Sequence, residues 1–533
     1  MKERGQSRFP LNFDEIFERI KSYGWYQLFF LLTVQYACIP QAGMTAGGFF
    51  SLGGLIPTYT CSDNGTTVVF DKSNITQYAD EACIMVKTCR NLTVDSVMYS
   101  MYEEFQWMCV PSYLMPTMAS IMPIAAITGF LIGGHISDHF GRKWLTIIGL
   151  GVNVLGGLVS AIAPNWQFYM VVNFINQLTQ PIYYGAAFAL CMESIGTKWR
   201  LIQSFAFQWS LGYIFAGLGA YLTRHWRIFN IVVNGVGIPC VLMMLLTEES
   251  PRWLVQKQKY RHAAQAINKI ARWNGRDHIK YTEADMKAID LSSKGKRHNY
   301  SIYHLFSQKK LAIYCVSQIV TGICINTVGN VILFNVQDLA GSPFLNVALM
   351  GIMRLWVPLA AIAMERYSNW FGRKPLLIGS QATVCICFTC LIIIHTAGYW
   401  ETLHWLATGL ALFGYGVEIG LVWVAYKTYT TELFPTVIRT IALNTFSLSS
   451  NIGTALAPQL IYLRYYWHPM PYAGAAVMSL ASIIIGVAVL PETKGQPMPD
   501  SLEEIKEGRL LKIDARSERE LDLILPKNGH IDS

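Results

Sequence analysis

Twelve stretches of membrane-spanning length, almost free of Asp, Glu, Lys and Arg, constrain this 533-residue chain more than any other feature. A bilayer core needs about 20 apolar residues in a helix, and only helices or closed barrels satisfy their backbone there. The stretches lie near residues 25–47, 114–132, 144–163, 168–191, 202–222, 227–247, 311–333, 345–364, 375–397, 402–427, 440–463 and 472–490. They predict an all-α polytopic membrane protein with twelve transmembrane helices, here called spans one to twelve. Composition agrees: 14% of residues are charged, against about 25% in soluble domains. Residues 1–24 carry many charges and no apolar signal-peptide core. Phe13, Ile16, Phe17 and Ile20 fall at helical spacing there, which predicts an amphipathic helix at the membrane surface.

Loop charge gives the orientation. Residues 50–112 hold seven acids and three Lys or Arg, while Arg252 to Lys310 hold fourteen Lys or Arg and four acids. By the positive-inside rule the basic segment and both termini are cytosolic. The acidic loop also contains Cys61, Cys83, Cys89 and Cys109 and the sequons at Asn64, Asn74 and Asn91. Clustered cysteines with sequons predict an oxidising outer compartment and two disulfides, with the pairing open. The net charge of +8 gathers in the cytosolic loops and does not point to nucleic acid. Tyr260 to Trp273 is expected to form an amphipathic helix in the basic loop.

The chain repeats itself. Gly141-Arg142-Lys143 recurs 231 residues on as Gly372-Arg373-Lys374. Glu193, seven residues before Arg200, recurs as Glu432, seven before Arg439. Glu249-Ser-Pro-Arg252 ends span six, and Pro491-Glu492-Thr-Lys494-Gly follows span twelve. Three features in one order predict two six-helix halves, with a substrate site at mid-membrane between them. The expected division is a lead at 1–24, an N-terminal half at 25–250, a basic loop at 251–310, a C-terminal half at 311–490 and a tail at 491–533. Asp138, Arg142, Glu193, Arg200, Arg252, Arg373, Glu432 and Arg439 all fall at cytosolic helix ends. They are read as a gate whose ion pairs bridge the halves when the inner side shuts.

Polar residues inside the spans mark the expected cavity. Span four carries Asn173, Asn176, Gln177, Gln180 and Tyr184 at steps of three and four; span seven carries Gln318, Asn326 and Asn330. Spans three, nine and twelve read as lipid-facing. Arg354 lies midway through span eight and Glu418 just past the middle of span ten, so each needs a partner or water, and they are candidates to pair with each other. Lys427 follows Glu418 by nine residues, about half a turn away on an unbroken helix. It is read as snorkelling to the interface. Trp209, Tyr213, Trp356, Trp423, Tyr426 and Phe446 offer aromatic faces for a cation.

The stretch Gly134-His-Ile-Ser-Asp138-His-Phe-Gly141-Arg142-Lys143 resembles the loop signature of the major facilitator superfamily, and is read as a tight basic turn between spans two and three. Within it the chain is similar to solute carrier family 22, the organic cation, anion and carnitine transporters. The similarity rests on Phe13-Asp-Glu-Ile, Tyr23-Gly-Trp-Tyr-Gln27, the cysteine-bearing outer loop, Trp226-Arg227, Glu249-Ser-Pro-Arg-Trp-Leu254 and Tyr429-Thr-Thr-Glu432-Leu-Phe-Pro435. The resemblance implies a plasma-membrane carrier of a small organic ion working by alternating access. It also shows departures. Asn173 and Gln177 stand where the superfamily often has Arg and Gly, Asn369 where the second loop motif has Asp, and Trp356 where cation carriers have Glu. Asn451 in span eleven aligns with a position that is Asp in cation carriers and Arg in anion carriers.

Glu418 then tilts the expected substrate towards organic cations or zwitterions over anions. The alternatives are a sugar or other neutral-solute carrier and a non-transporting receptor on the same fold. The chain has no ATP-binding loop, is not read as an enzyme, and is assigned no cofactor, metal, catalytic residue or oligomeric state. Orientation yields the first test. Asn→Gln substitution at Asn64, Asn74 and Asn91 is expected to raise gel mobility as glycan is lost, whereas Asn299→Gln changes nothing. A glycan on Asn299 would reverse the topology.

Overall fold

The computed structural model describes residues 13–48, 51–63, 66–72, 74–75, 78–196, 209–293, 302–367, 372–435 and 438–493, with 356–367 as backbone only. We call the face carrying residues 50–112 outer and the opposite face inner. The spans are Trp25–Ala46, Leu114–Phe140, Arg142–Ala161, Trp166–Glu193, Ser210–Thr223, Trp226–Leu245, Lys309–Phe334, Pro343–Tyr367, Arg373–Thr396, His404–Leu433, Arg439–Tyr462 and Met470–Val489. Span ten is not a continuous α-helix: His404–Val417 passes through a π turn, Glu418–Val422, into Trp423–Leu433. The half-turn separation of Glu418 and Lys427 assumed an unbroken helix, and the wide turn removes that assumption.

The basic turn is shorter than the sequence suggests. Span two continues to Phe140, so Gly134, His135 and Asp138 are helical. The reversal is confined to Gly141, whose φ is 100°. A side chain is strained in that conformation, and a Cβ there would lie 2.5 Å from Glu249 Oε2.

The two halves meet along two helix pairs, span two with span eleven and span five with span eight. Small residues set the approach. A Cβ on Gly351 of span eight would fall 2.7 Å from the Ser210 carbonyl oxygen, and one on Gly217 of span five 2.5 Å from that of Phe344. Such backbone proximity is how helices associate where water supplies no driving force. Span nine is not wholly lipid-facing: Gln381 is buried and donates to Glu418 Oε1 at 3.2 Å. Span three likewise buries Asn153, which donates to the Asn176 carbonyl at 3.2 Å.

The lead helix, Phe13–Arg19, corrects a second expectation. Its apolar face does not lie on lipid. Phe13, Ile16 and Phe17 pack with Leu254, Ile267, Ile270 and Met286 of the helices that follow span six. One of those is Tyr260–Trp273, amphipathic as its spacing predicts.

The outer loop folds into an antiparallel sheet of β1 (Thr58–Asp63), β2 (Thr66–Phe70) and β3 (Leu92–Asp95) in the order β2-β1-β3, with a helix at Ala79–Thr88. Disulfides join Cys61 to Cys89 and Cys83 to Cys109. Arg227 ties the loop to the membrane domain, pairing with Glu104 at 2.5 Å and donating to the carbonyls of Ala161 and Ala163. That contact gives the Trp226-Arg227 pair its physical sense. Asn91 is exposed, Asn74 donates to the Val69 carbonyl at 3.1 Å, and Asn64 lies outside the described residues.

The span five–span eight contact can be tested. Gly351→Val should cost about 1–3 kcal/mol through overpacking and lower the thermal midpoint of the purified protein. Gly379→Ala, where a Cβ meets no atom within 4 Å, should leave the midpoint unchanged. Equal midpoints for both would show that the close approach is not tightly packed.

Candidate functional site

Both halves build the same cluster at their inner ends. In the first, Glu249 accepts the Arg142 N–H at 3.0 Å and the Lys143 N–H at 3.1 Å, which are the opening amides of span three. Arg142 Nε pairs with Glu193 Oε2 at 2.8 Å, and Ser250 Oγ donates to the same carboxylate. In the second, Glu492 accepts the Arg373 N–H at 2.8 Å and the Lys374 N–H at 3.1 Å. Arg373 Nε pairs with Glu432 Oε1 at 3.0 Å, and Thr493 donates to Glu432. A carboxylate on a helix N-terminus satisfies amides with no partner in their own helix and meets the positive end of the dipole. Ser250 and Thr493 were not singled out from the sequence; each directly follows its repeated Glu, and that spacing was the available signal.

The other inner residues fall around these clusters. Asp138 pairs with Arg142 at 3.3 Å from an exposed position. Arg252 pairs with Asp14 of the lead helix at 2.7 Å and lies over the Phe13 ring. Arg439 opens span eleven, and Arg200 and Asn369 lie outside the described residues. The Asp138, Glu193 and Glu432 pairs each stay within one half, and the Arg252 pair joins the basic loop to the lead helix.

Among the described residues, the hydrogen bonds and ion pairs seen between the halves lie towards the outer face. Gln459 of span eleven donates to the Pro116 carbonyl at 3.2 Å and to Ser120 Oγ at 2.9 Å, and Ser120 donates to the Ala455 carbonyl at 2.7 Å. Above them Lys72, from the outer loop of the first half, reaches the second half. It pairs with the buried Asp338 carboxylate and donates to the Gln337 carbonyl. Arg464, just beyond span eleven, pairs with Asp338 from the other side and donates to Asn335 Oδ1 at 3.1 Å. Burial alone would raise the Asp338 carboxyl, but the charges of Arg464 and Lys72 outweigh it and hold it well below the ordinary carboxylate range. Hydropathy could not find this cluster, because its members are 266 and 126 residues apart.

At mid-membrane Arg354 Nε donates to the Tyr415 hydroxyl at 2.8 Å. Its guanidinium lies 4.6 Å from the centre of the Tyr213 ring, which belongs to the opposite half. Arg354 and Glu418 do not pair. Glu418 is fully buried and turned to Gln381 of span nine. Lys427 is exposed, with its ammonium 5.2 Å from the Trp423 ring centre, and that ring stacks on Tyr426.

Asn451 donates to the Ser447 carbonyl of its own helix at 2.9 Å. It sits one turn inward of Ala455, whose carbonyl receives Ser120. Asn330 bridges span seven to span eleven through Thr454 Oγ1 at 3.3 Å, with Asn326 half-buried one turn away. Asn173, Gln177 and Gln180 are half-buried along one face of span four, whereas Asn176 turns away and is buried against Gly156 of span three. The Trp356 side chain lies outside the described residues.

The family described as sugar (and other) transporter matches residues 52–507. The human organic cation/carnitine transporter 2 is 26% identical over 77% of this chain and 72% of its own length. Mouse solute carrier family 22 member 4 is 25% identical over 80% of this chain and 76% of its own length. Among solved structures, a partially occluded inward open conformation of the E. coli xylose transporter XylE superposes with a TM-score of 0.60 at 17% identity. It covers 89% of this chain and 100% of that one. The fold is therefore that of the major facilitators.

The outer cluster makes a directional test. Asp338→Asn leaves Lys72 and Arg464 without their shared carboxylate in a poorly hydrated site, a change that costs about 3–5 kcal/mol for a fully buried pair, whereas Lys72→Ala leaves Asp338 paired with Arg464 but removes the link between the halves, at a smaller cost. Both should raise the reactivity of a cysteine placed at Ile461 towards an impermeant maleimide applied from the outer face. Asp338 stays ionised from neutral pH down through the range near 4 where a free carboxyl protonates. A group with a depressed folded pKa contributes stability above its unfolded value and loses it only as pH falls through the folded one. Acidification from pH 8 to pH 5 should therefore leave this pair intact, read as a constant ratio of labelling at position 461 to labelling of an unrelated exposed cysteine, because the thiolate fraction of both falls together.

Proposed function

Because the chain belongs to the sugar (and other) transporter family, we propose that this membrane transporter carries a small organic ion bearing a carboxylate, either an anion or a zwitterion. The single observation behind the choice is Arg354. It is held midway through the membrane between tyrosines of opposite halves, and among the described residues its remaining N–H donors meet no acceptor. Arg is the side chain best shaped for a carboxylate, through paired parallel hydrogen bonds. The Lys427 ammonium adds charge of the same sign at the inner end of span ten. Glu418, which tilted the sequence reading towards cations, is spent on Gln381 instead. The names of the relatives, organic cation/carnitine transporters, fit a zwitterionic class.

Alternating access follows from the duplicated halves. The substrate enters from the outer face in one state and leaves at the inner face in the other, in a plasma membrane with residues 50–112 outside and both termini in the cytosol. The inner clusters keep each half rigid while the outer contacts break. The remaining cavity residues, Asn173, Gln177, Gln180, Asn326, Asn330, Trp356 and Asn451, orient the substrate through neutral hydrogen bonds and packing. Facilitated diffusion or exchange suits a first span with no carboxylate better than proton symport does.

Uptake of labelled carnitine, para-aminohippurate, tetraethylammonium and glucose into expressing cells tests this. Carnitine and para-aminohippurate should accumulate, and Arg354→Gln should lower both by about tenfold or more, the effect of about 1.4 kcal/mol. At an effective dielectric of 20, charges about 4 Å apart interact by about 4 kcal/mol before desolvation. Asn451→Asp should accordingly favour tetraethylammonium, and Asn451→Arg para-aminohippurate. Accumulation of glucose alone would support the neutral-solute reading, and no uptake at full surface expression the receptor reading.

A further inference from the structure

An arginine head on its long, rotamer-rich stem is not aimed by its own backbone. At Arg354 two tyrosines do the aiming. Its Nε donates to the Tyr415 hydroxyl at 2.8 Å, from span ten of the same half. Its guanidinium carbon stands 4.6 Å from the centre of the Tyr213 ring, on span five of the opposite half, and 5.4 Å from that of Tyr415. Both tyrosines are buried, whereas Arg354 is half-buried. A ligand in the cavity therefore meets the guanidinium and not the rings that flank it.

The tyrosines act through different atoms. Tyr415 takes the Nε hydrogen, and so blocks the side-on fork that Nε makes with one Nη. The remaining hydrogens lie on the two Nη atoms, whose parallel pair points end-on. Tyr213 offers the face of its ring, which attracts a cation through its quadrupole. Backbone approach sets the place of that ring. A Cβ on Gly351, one turn before Arg354, would meet the carbonyl oxygen of Ser210, one turn before Tyr213, at 2.7 Å.

Resting on the carboxylate reading of this site, we propose that Tyr415 and Tyr213 are its positioning residues: Tyr415 through its hydroxyl and Tyr213 through its ring hold the Arg354 guanidinium so that a carboxylate is taken end-on, between the Nη atoms. Because Tyr213 comes from the other half, the carboxylate site is complete only with contributions from both halves.

Phenylglyoxal, an arginine-selective reagent, tests the positioning by itself when applied to the purified full chain without substrate and read by mass on the peptide holding Arg354. Tyr415→Phe and Tyr213→Leu should each release the guanidinium and speed its labelling by about threefold or more. Tyr213→Phe, which keeps the ring, should restore the slow rate. Labelling of Arg227, tied to the outer loop, should stay constant, which separates release of one side chain from loosening of the fold. In uptake of labelled para-aminohippurate, Tyr415→Phe and Tyr213→Leu should raise KM by about tenfold with little change in maximal rate at matched surface expression. Neither should add to the effect of Arg354→Gln. Labelling that follows this pattern in a chain that takes up no carboxylate supports the positioning and overturns only the substrate reading. Unchanged Arg354 labelling in Tyr415→Phe and Tyr213→Leu, equal rates for Tyr213→Phe and Tyr213→Leu, or a further rise in KM on top of Arg354→Gln would each overturn the proposal.

Discussion

A carboxylate seated on the first amides of a helix holds each half of this protein together. Glu249 caps span three and Glu492 caps span nine, and each does so from the residues just after the sixth helix of its half. The last helix of a half is thereby tied to the start of its third. A second carboxylate, Glu193 or Glu432, takes the arginine side chain that opens the same capped helix. Amide, guanidinium and hydroxyl donors thus converge on two acids. The whole arrangement occurs twice, so the same internal stiffness is available to both halves when they move against each other.

The two membrane faces differ in kind. Inner contacts, in the pairs described, are made within halves. Outer contacts are made between them, by glycine-mediated approach of spans five and eight, by Gln459 and Ser120, and by Lys72 reaching across to Asp338. The disulfide-bonded outer loop is part of that closure. Anchored to its own half by Arg227 and Glu104, it presents Lys72 to the other.

Much of this was readable from residue order alone. The spans follow from hydropathy, and the fold from motifs that recur in register. The repeat even named three of the four members of each inner cluster. The failures share one physical cause: a polar residue's position along a helix is legible, but its direction around the helix depends on neighbours that sequence does not show. Asn176 was grouped with Asn173 and Gln177 yet faces span three. Glu418 and Arg354 were candidates for each other, but Glu418 found an amide on span nine and Arg354 found two phenol rings. Hydropathy ends span two at Ile132, because polar His135 and Asp138 read as a turn, although a helix end leaving the bilayer tolerates both and the helix runs to Phe140. The Lys72, Asp338 and Arg464 cluster joins three distant segments and has no local pattern at all.

The π turn of span ten carries a consequence for chain length. Upstream of it, Tyr415 must face Arg354 across to span eight. Downstream, Tyr426 must reach the Gln318 carbonyl of span seven and Glu432 must meet Arg373. A regular helix fixes the angle between any two of its residues at about 100° per step, so both demands cannot be tuned independently by substitution. A widened turn absorbs one surplus residue between them. Span ten therefore behaves like a vernier: removing the surplus residue from Glu418–Val422 would close the turn to an ordinary α turn with the downstream contacts still in step, whereas a residue added or removed where no widened turn absorbs it would rotate every downstream contact by about 100°.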